Sequence, residues 1–397
     1  MTEQGVSGCS AIESERARKP LVVWVGATWS GIETQFRNAV NAAADDPRIA
    51  SLALALEPYR DDRLDRSLRF LPASTRATVR QVGGTLPLYR RSDVDVVWSQ
   101  LTLPILPWLL TVGAWRRTPV VYSIDATLKQ LNDFGPLYDH WGGRTRARFA
   151  VRNGLERLLL RRMTLLTPWS EWAARSMRDD YGIPPERIRV LPPGIDLDFW
   201  RPSCTPVPGK RLPRAIFVGG DFERKGGDLL LEVFRRRFRG RLELDLVTRG
   251  DVPDEPGVRV HTGLVPNDPR LLALYQSADL LVLPTRADCF SMAGMEALAC
   301  GLPVVLGRTG GAAEVLDDTV QGYYVAPGSA DELAAALERL VSDATLREGM
   351  GVAGRALAER RYDARRNTGR LTGWLRELAR GPFLEDPGFQ PAGRRRM

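Results

Sequence analysis

Apolar residues along the chain gather in short continuous runs, and the stretches between them repeat at helical spacing. Residues 21–25 (LVVWV), 94–98 (VDVVW), 120–123 (VVYS), 165–168 (LLTP), 215–218 (AIFV), 280–284 (LLVLP) and 304–306 (VVL) stay largely apolar without alternating. That is the pattern of strands buried on both faces of a parallel sheet. Between them, Phe36, Val40 and Ala43 predict one helix, Met292, Met295, Leu298 and Ala299 another, and 228–235 and 331–342 two more. Further strands are predicted at 51–57, 79–82 and 189–191. Strand and helix in alternation predict an α/β protein with doubly wound parallel sheets.

The alternation breaks once, at 203–213, a linker rich in proline with glycine. It divides the chain into a Rossmann-like domain at 20–202 and a second at 214–364. A helix at 365–381, with Leu371 to Leu378 on its apolar side, is expected to cross back to the first domain. Residues 1–19 read as a flexible N-terminus, and 382–397, ending in Arg394 to Arg396, as a frayed tail. At 397 residues and 44% hydrophobic content the chain is long enough to bury two cores. Cysteines at 9, 204, 289 and 300 and only two histidines show neither disulfide nor metal-ligand spacing. No metal or cofactor is expected, and a cytoplasmic location fits; residues 1–20 also lack the apolar core of a secretory leader.

The net charge of +8 raises the question of an anionic partner. The surplus is spread, with 27 basic against 22 acidic residues in 1–200 and 29 against 26 in 201–397, and no nucleic-acid-binding signature accompanies it. Nucleic acid is therefore not expected. Two segments bear on a membrane. Residues 96–115 hold no charge, but Pro104 and Pro107 interrupt them, which favours buried or surface helices over a span. Residues 144–162 carry seven arginines against one acid on a helical pattern, which suits either peripheral contact with anionic lipid at the inner face of a membrane or packing on the domain's own sheet.

Candidate chemistry sits where strands are predicted to end, the edge at which doubly wound sheets bind ligands. The stretch 288–305, DCFSMAGMEALACGLPVV, puts Asp288 in a loop, the amides of Phe290, Ser291 and Met292 at a helix start, and Glu296 in the first turns of that helix. Two carboxylates there suit sugar or ribose hydroxyls; otherwise they are a loop cap and a solvated face. Arg224 and Lys225 follow Gly219 and Gly220 in a strand-to-helix loop, a pairing of cations and glycine amides that suits a diphosphate. Gly26 and Gly31 bound a small-residue loop, GATWSG, after the first strand. Asp125 follows the strand at 120–123, as a proton acceptor for a hydroxyl or as the cap of the next helix.

DCFSMAGMEALACGLPVV, followed by Gly310, Gly311 and Glu314 as GG-x-x-E, resembles the E-x7-E signature of the retaining family 4 glycosyltransferases, typified by sucrose synthase and bacterial mannosyltransferases. DF-x-RKG at 221–226 is similar to the lipopolysaccharide-core glucosyltransferase subset. The resemblance implies the GT-B architecture, two Rossmann-like domains facing each other across a cleft, and metal-independent transfer of a hexose from a UDP- or GDP-sugar by front-face displacement. The acceptor would be a glycan, a lipid-linked molecule or a small molecule. Arg224 and Lys225 would then stabilise the departing diphosphate, Glu296 hold the ribose, Asp288 and the 290–292 amides the sugar, backbone at Gly263, Leu264 and Val265 the base, and the Gly26–Gly31 loop approach the phosphates. Three positions depart from the family: Asp288 replaces glutamate, Gly220 stands where most members have arginine, and Ile124-Asp125 replaces a histidine-containing pair. These departures leave room for a non-catalytic glycan- or lipid-binding relative, and the two-lobed fold for a sugar-nucleotide epimerase or a phosphorylase.

Overall fold

The computed structural model describes residues 18–28, 30–58, 66–71, 73–138, 146–203 and 211–381. The expectations for 1–17 and 382–397, for Cys9 and Cys204, and for most of the linker lie outside the described residues. Two parallel sheets organise the rest. The first comprises β1 (Leu21–Ala27), β2 (Ala50–Leu56), β3 (Val96–Ser99), β4 (Val120–Ile124) and β5 (Leu165–Pro168), in the order β2-β1-β3-β4-β5. The second comprises β6 (Arg214–Val218), β7 (Glu243–Val247), β8 (Val258–His261), β9 (Leu280–Leu283), β10 (Val304–Gly307) and β11 (Gly322–Val325), in the order β11-β10-β9-β6-β7-β8. The direction of winding reverses between β1 and β3 and between β6 and β9, so each sheet opens a crevice at the carboxyl ends of those strands.

β1 explains why its sequence does not alternate. All seven of its residues are buried, and they serve two cores. Val22 and Trp24 join Val96, Trp98 and Val121 on one face, and Leu21, Val23 and Val25 join Val97, Tyr122 and Ile124 on the other. The first face is covered by α1 (Ser30–Ala44) and by α14 (Ala364–Ala379), which brings Leu371, Leu375 and Leu378 from the end of the chain onto the first sheet. The opposite face carries α2 (Ala73–Gly84), α3 (Leu86–Arg90), α4 (Leu106–Leu110), α5 (Val112–Arg116) and α7 (Arg146–Arg162), through Leu56 against Gly84 and through Leu88, Trp108, Leu159 and Leu160.

Three sequence expectations fail here. Residues 79–82 lie in α2, because Val79 and Val82 are separated by the polar Arg80 and Gln81 and, among the described residues of the helix, only Ala77 and Gln81 are buried. Residues 189–191 form no strand; the segment makes a single bridge, Leu166 to Ile188. Gly26 is not a loop residue, since β1 runs on to Ala27 and a Cβ at Gly26 would stand 2.1 Å from the Phe36 ring of α1. The uncharged stretch folds as β3 and the short α4 and α5, with Ile105 and Trp108 fully buried, and no helix among the described residues is long and apolar enough to cross a membrane.

Candidate active site

The carboxyl edges of the two sheets meet, and the predicted chemistry gathers at that seam. After β6 the chain turns through 219–226 into α9 (Gly227–Val233). Gly226 has φ +77°, and a Cβ there would lie 2.2 Å from the Pro284 carbonyl oxygen, so only glycine lets this loop lie against the end of β9. The turn aims Lys225 at the loop after β9, where its Nζ donates to Asp288 Oδ2 at 2.5 Å. Arg224 donates from Nε to Asp221 Oδ2 at 2.9 Å and from Nη1 to the Ala287 carbonyl at 2.9 Å and to Tyr138 Oη at 2.8 Å. Its guanidinium lies 4.7 Å over the Tyr138 ring, a residue of the first domain. Burial works against the Arg224 charge, but Tyr138, Asp288 and Asp221 outweigh it and its pKa rises. Burial also pushes the Tyr138 phenol upward, so it stays neutral.

Beyond Asp288, Ser291 caps α11 (Met292–Ala299) by accepting from the Gly294 amide at 3.2 Å. Phe290 is turned inward, edge-on to Trp169 at 6.2 Å, while Met292 meets the first domain, where a Cβ on Gly31 would stand 3.4 Å from its Cγ. Glu296 is 6% exposed and accepts from Tyr275 Oη at 3.1 Å, Tyr275 belonging to α10 (Pro269–Ser277). Burial pushes the Glu296 carboxyl up to about 8, with the Tyr275 hydrogen bond opposing. At the far end of the crevice, Gly263 takes φ +71° with open space on its Cβ side, Leu264 packs on the second core, and Val265 is 60% exposed.

Asp125 enters from the first sheet, one residue beyond β4. Burial raises its carboxyl to about 6; Asp288 adds to the rise, and backbone hydrogen bonds and Lys225 oppose it. Asp125 is not the cap of the next helix, α6 (Leu128–Asp133). Thr127 is, through a capping box with Gln130, which leaves the Asp125 carboxyl to the cleft. Arg224, Lys225, Asp288 and Asp125 are thus brought together. Glu296, the 290–292 amides and 263–265 belong to the second domain's edge, Gly31 faces Met292, and Gly26 is set back in β1.

Gly310, Gly311 and Glu314 close the seam further. Glu314 accepts from the backbone amides of Glu171 at 2.8 Å and Trp172 at 2.7 Å, at the start of α8 (Glu171–Asp179) in the first domain. Beside it, a Cβ on Gly311 would stand 2.8 Å from Ser170 Oγ, and one on Gly310 3.0 Å from the Phe134 ring. The GG-x-x-E spacing is visible in the sequence, but its partner helix is not. Tyr138 had no signal of its own, lying 86 residues from Arg224. The arrangement offers cations for a polyanionic leaving group and carboxylates for hydroxyls, at the seam between the two sheets.

Two family profiles match the chain, one on each side of the linker: "Glycosyltransferase Family 4" over residues 29–199 and "Glycosyl transferases group 1" over 213–343. Among curated relatives, an MMP alpha-(1->4)-mannosyltransferase of Mycolicibacterium hassiacum is 30% identical over 217 residues, 51% of this chain and 52% of the relative. A D-inositol 3-phosphate glycosyltransferase of Corynebacterium aurimucosum is 32% identical over 206 residues, 45% of this chain and 49% of the relative. The chain spans about half the length of the curated relatives it matches. In fold it is similar to sucrose-phosphate synthase from Thermosynechococcus elongatus, with a TM-score of 0.67 at 17% identity over 91% of this chain and 99% of that one. It is also similar to Anabaena HepE in complex with UDP-glucose, with a TM-score of 0.65 at 16% identity over 90% and 99%.

Proposed function

We propose that this chain, a family-4-like member of the glycosyltransferases with the GT-B fold, transfers a hexose from a UDP- or GDP-sugar to a hydroxyl of a glycan, lipid-linked or small-molecule acceptor, with retention and without a metal. The observation that carries the proposal is the convergence of Lys225, Arg224 and Asp288 on one sheet edge with Asp125 on the other. Negative charge grows on the diphosphate as the sugar–oxygen bond breaks, and Lys225 and Arg224 are placed to stabilise it, so the electrostatic gain falls on the transition state. In a front-face displacement the acceptor oxygen attacks the anomeric carbon from the side on which the diphosphate leaves, and Asp125 orients the hydroxyl or takes its proton. Glu296 holds the ribose, Asp288 and the 290–292 amides hold the sugar, and backbone at 263–265 holds the base. Closure of the seam limits donor hydrolysis.

The protein works in the cytoplasm against the inner face of a membrane. Support comes from the outer layer of the first domain, where Trp115 is 81% exposed next to Arg116 and Arg117 in sequence, and where Val151 at 73% and Leu158 at 47% are exposed among the arginines of α7. The only acid of that helix, Glu156, turns inward to accept from the Leu128 amide at 2.9 Å. Co-sedimentation with anionic but not neutral vesicles is expected, weakened in Trp115→Ser/Val151→Ser; equal recovery with both vesicle types sinks the membrane reading.

A second reading, a nucleotide-binding protein without transfer, draws on the fact that Arg224 and Lys225 already have protein partners. Thermal shift against UDP, GDP, ADP and their sugar forms, with and without EDTA, separates the readings from each other and from failure. A selective, EDTA-insensitive rise is expected, worth about 2.7 kcal/mol at a hundred times Kd. A rise with neither transfer nor sugar release moves the protein to the second reading. No rise in folded protein overturns both.

A further inference from the structure

The loop after β7 holds a cation that the proposed clamp does not use. Arg249 is exposed, and no described residue gives it an ion pair or a hydrogen bond. Its guanidinium lies against the backbone at the end of β6: a Cβ on Gly220 would come within 2.7 Å of its Nε and Nη2 and 3.0 Å of its Cζ. One residue earlier, a Cβ on Gly219 would stand 2.9 Å from the Lys225 stem. Two successive glycines therefore let two cations from different loops approach one stretch of backbone at the carboxyl end of the strand. Arg249 also borders an open pocket of about 470 Å³ formed by 220–223 and 249–252. The backbone around it is fixed, since Thr248 is buried and accepts from the Gly250 amide at 3.1 Å, and the Gly219 amide donates to the Val247 carbonyl at 2.9 Å.

Arg224 is placed differently. Three protein acceptors, Asp221, the Ala287 carbonyl and Tyr138, take the donors on its Nε and Nη1, and its Nη2 remains for a ligand. Asp221, with which it pairs, stands at the rim of that pocket together with Glu223 and Asp251. We infer that Arg249 is a third cation of the diphosphate site, acting with Lys225 and Arg224, and that Arg224 also positions Tyr138 and the 286–288 loop. This rests on the reading of the cleft as a nucleoside-diphosphate site. A diphosphate between Lys225 and Arg249 meets one point charge and one free planar fork of donors, the combination suited to two adjoining phosphates.

The test is calorimetric binding of UDP and uridine, or of GDP and guanosine, whichever pair the wild type prefers, to wild type, Arg249→Ala and the swap Gly220→Arg/Arg249→Ala, all checked for folding by circular dichroism. Arg249→Ala is expected to weaken the diphosphate about ten- to a hundredfold, the worth of one or two charge-assisted hydrogen bonds, and to leave the nucleoside unchanged. The swap, which returns a guanidinium to the space Arg249 vacates, is expected to recover most of the loss. Wild-type diphosphate affinity in Arg249→Ala, or an equal loss for diphosphate and nucleoside, overturns the inference and leaves the cleft assignment standing. Failure of wild type to bind any nucleoside diphosphate overturns the cleft assignment itself.

Discussion

Glu296 carries the most consequential ionisation at the residue scale. Its folded-state carboxyl titrates near 8 against an ordinary value of 4.5 because burial penalises the charged form. Stability from this group is therefore fully present below the unfolded value and is lost as pH rises through about 8. Glu296→Gln removes the dependence: between pH 5 and 9 the wild-type melting temperature is expected to fall relative to the variant, by the equivalent of a few kcal/mol. Parallel curves for the two proteins would refute the buried carboxyl as the cause. Asp125, raised to about 6, belongs on the acid limb of the rate profile. Asp125→Asn is expected to lower kcat by about a hundred- to ten-thousand-fold, to abolish the limb near pH 6, and to leave nucleotide thermal shifts intact. A retained limb would reassign it. Asp288 and Glu296 were legible in the sequence because one strand-loop-helix unit holds both. Tyr138 and Arg249 were not, because their meeting with the site depends on how distant loops are set by the sheets, and no local spacing encodes that.

Among elements, the strands buried on both faces were readable from apolar continuity alone, β1, β4 and β9 most plainly. The failures came from windows too short to carry a period. Val79 and Val82, three apart, fit one turn of helix as well as a strand, and Ile188 to Leu191 runs beside β5 with only one bridge. The helix start with most to lose is that of α8, whose first amides are held by Glu314 across the seam as well as by its own cap, Ser170. Glu314→Ala is expected to speed amide exchange at Glu171 and Trp172 and to cost about 1–2 kcal/mol. Unchanged exchange at those two amides would show that the cross-domain bond is not held in solution.

At the scale of the whole molecule, the two cores are tied by α14, which leaves the second domain and buries Leu375 fully among Trp24, Trp98 and Leu165 of the first. Leu375→Ala is expected to cost about 2–5 kcal/mol and to lower one shared melting transition. Two separated transitions, only one of them shifted, would mean that the helix does not couple the domains. The two-domain plan was visible because the strand pattern stops and restarts around a linker. The relative setting of the domains was not, since it rests on contacts such as Glu314 to Glu171, 143 residues apart. That seam has an optical consequence. Trp172 stands 5.6 Å from Phe134 with its amide on Glu314, and Trp169 meets Phe290 edge-on at 6.2 Å, whereas Trp24, Trp98 and Trp108 are sealed inside one domain. Any parting of the sheets changes the surroundings of the first two indoles and spares the other three, so the protein's own fluorescence can time each opening and closing without an added label.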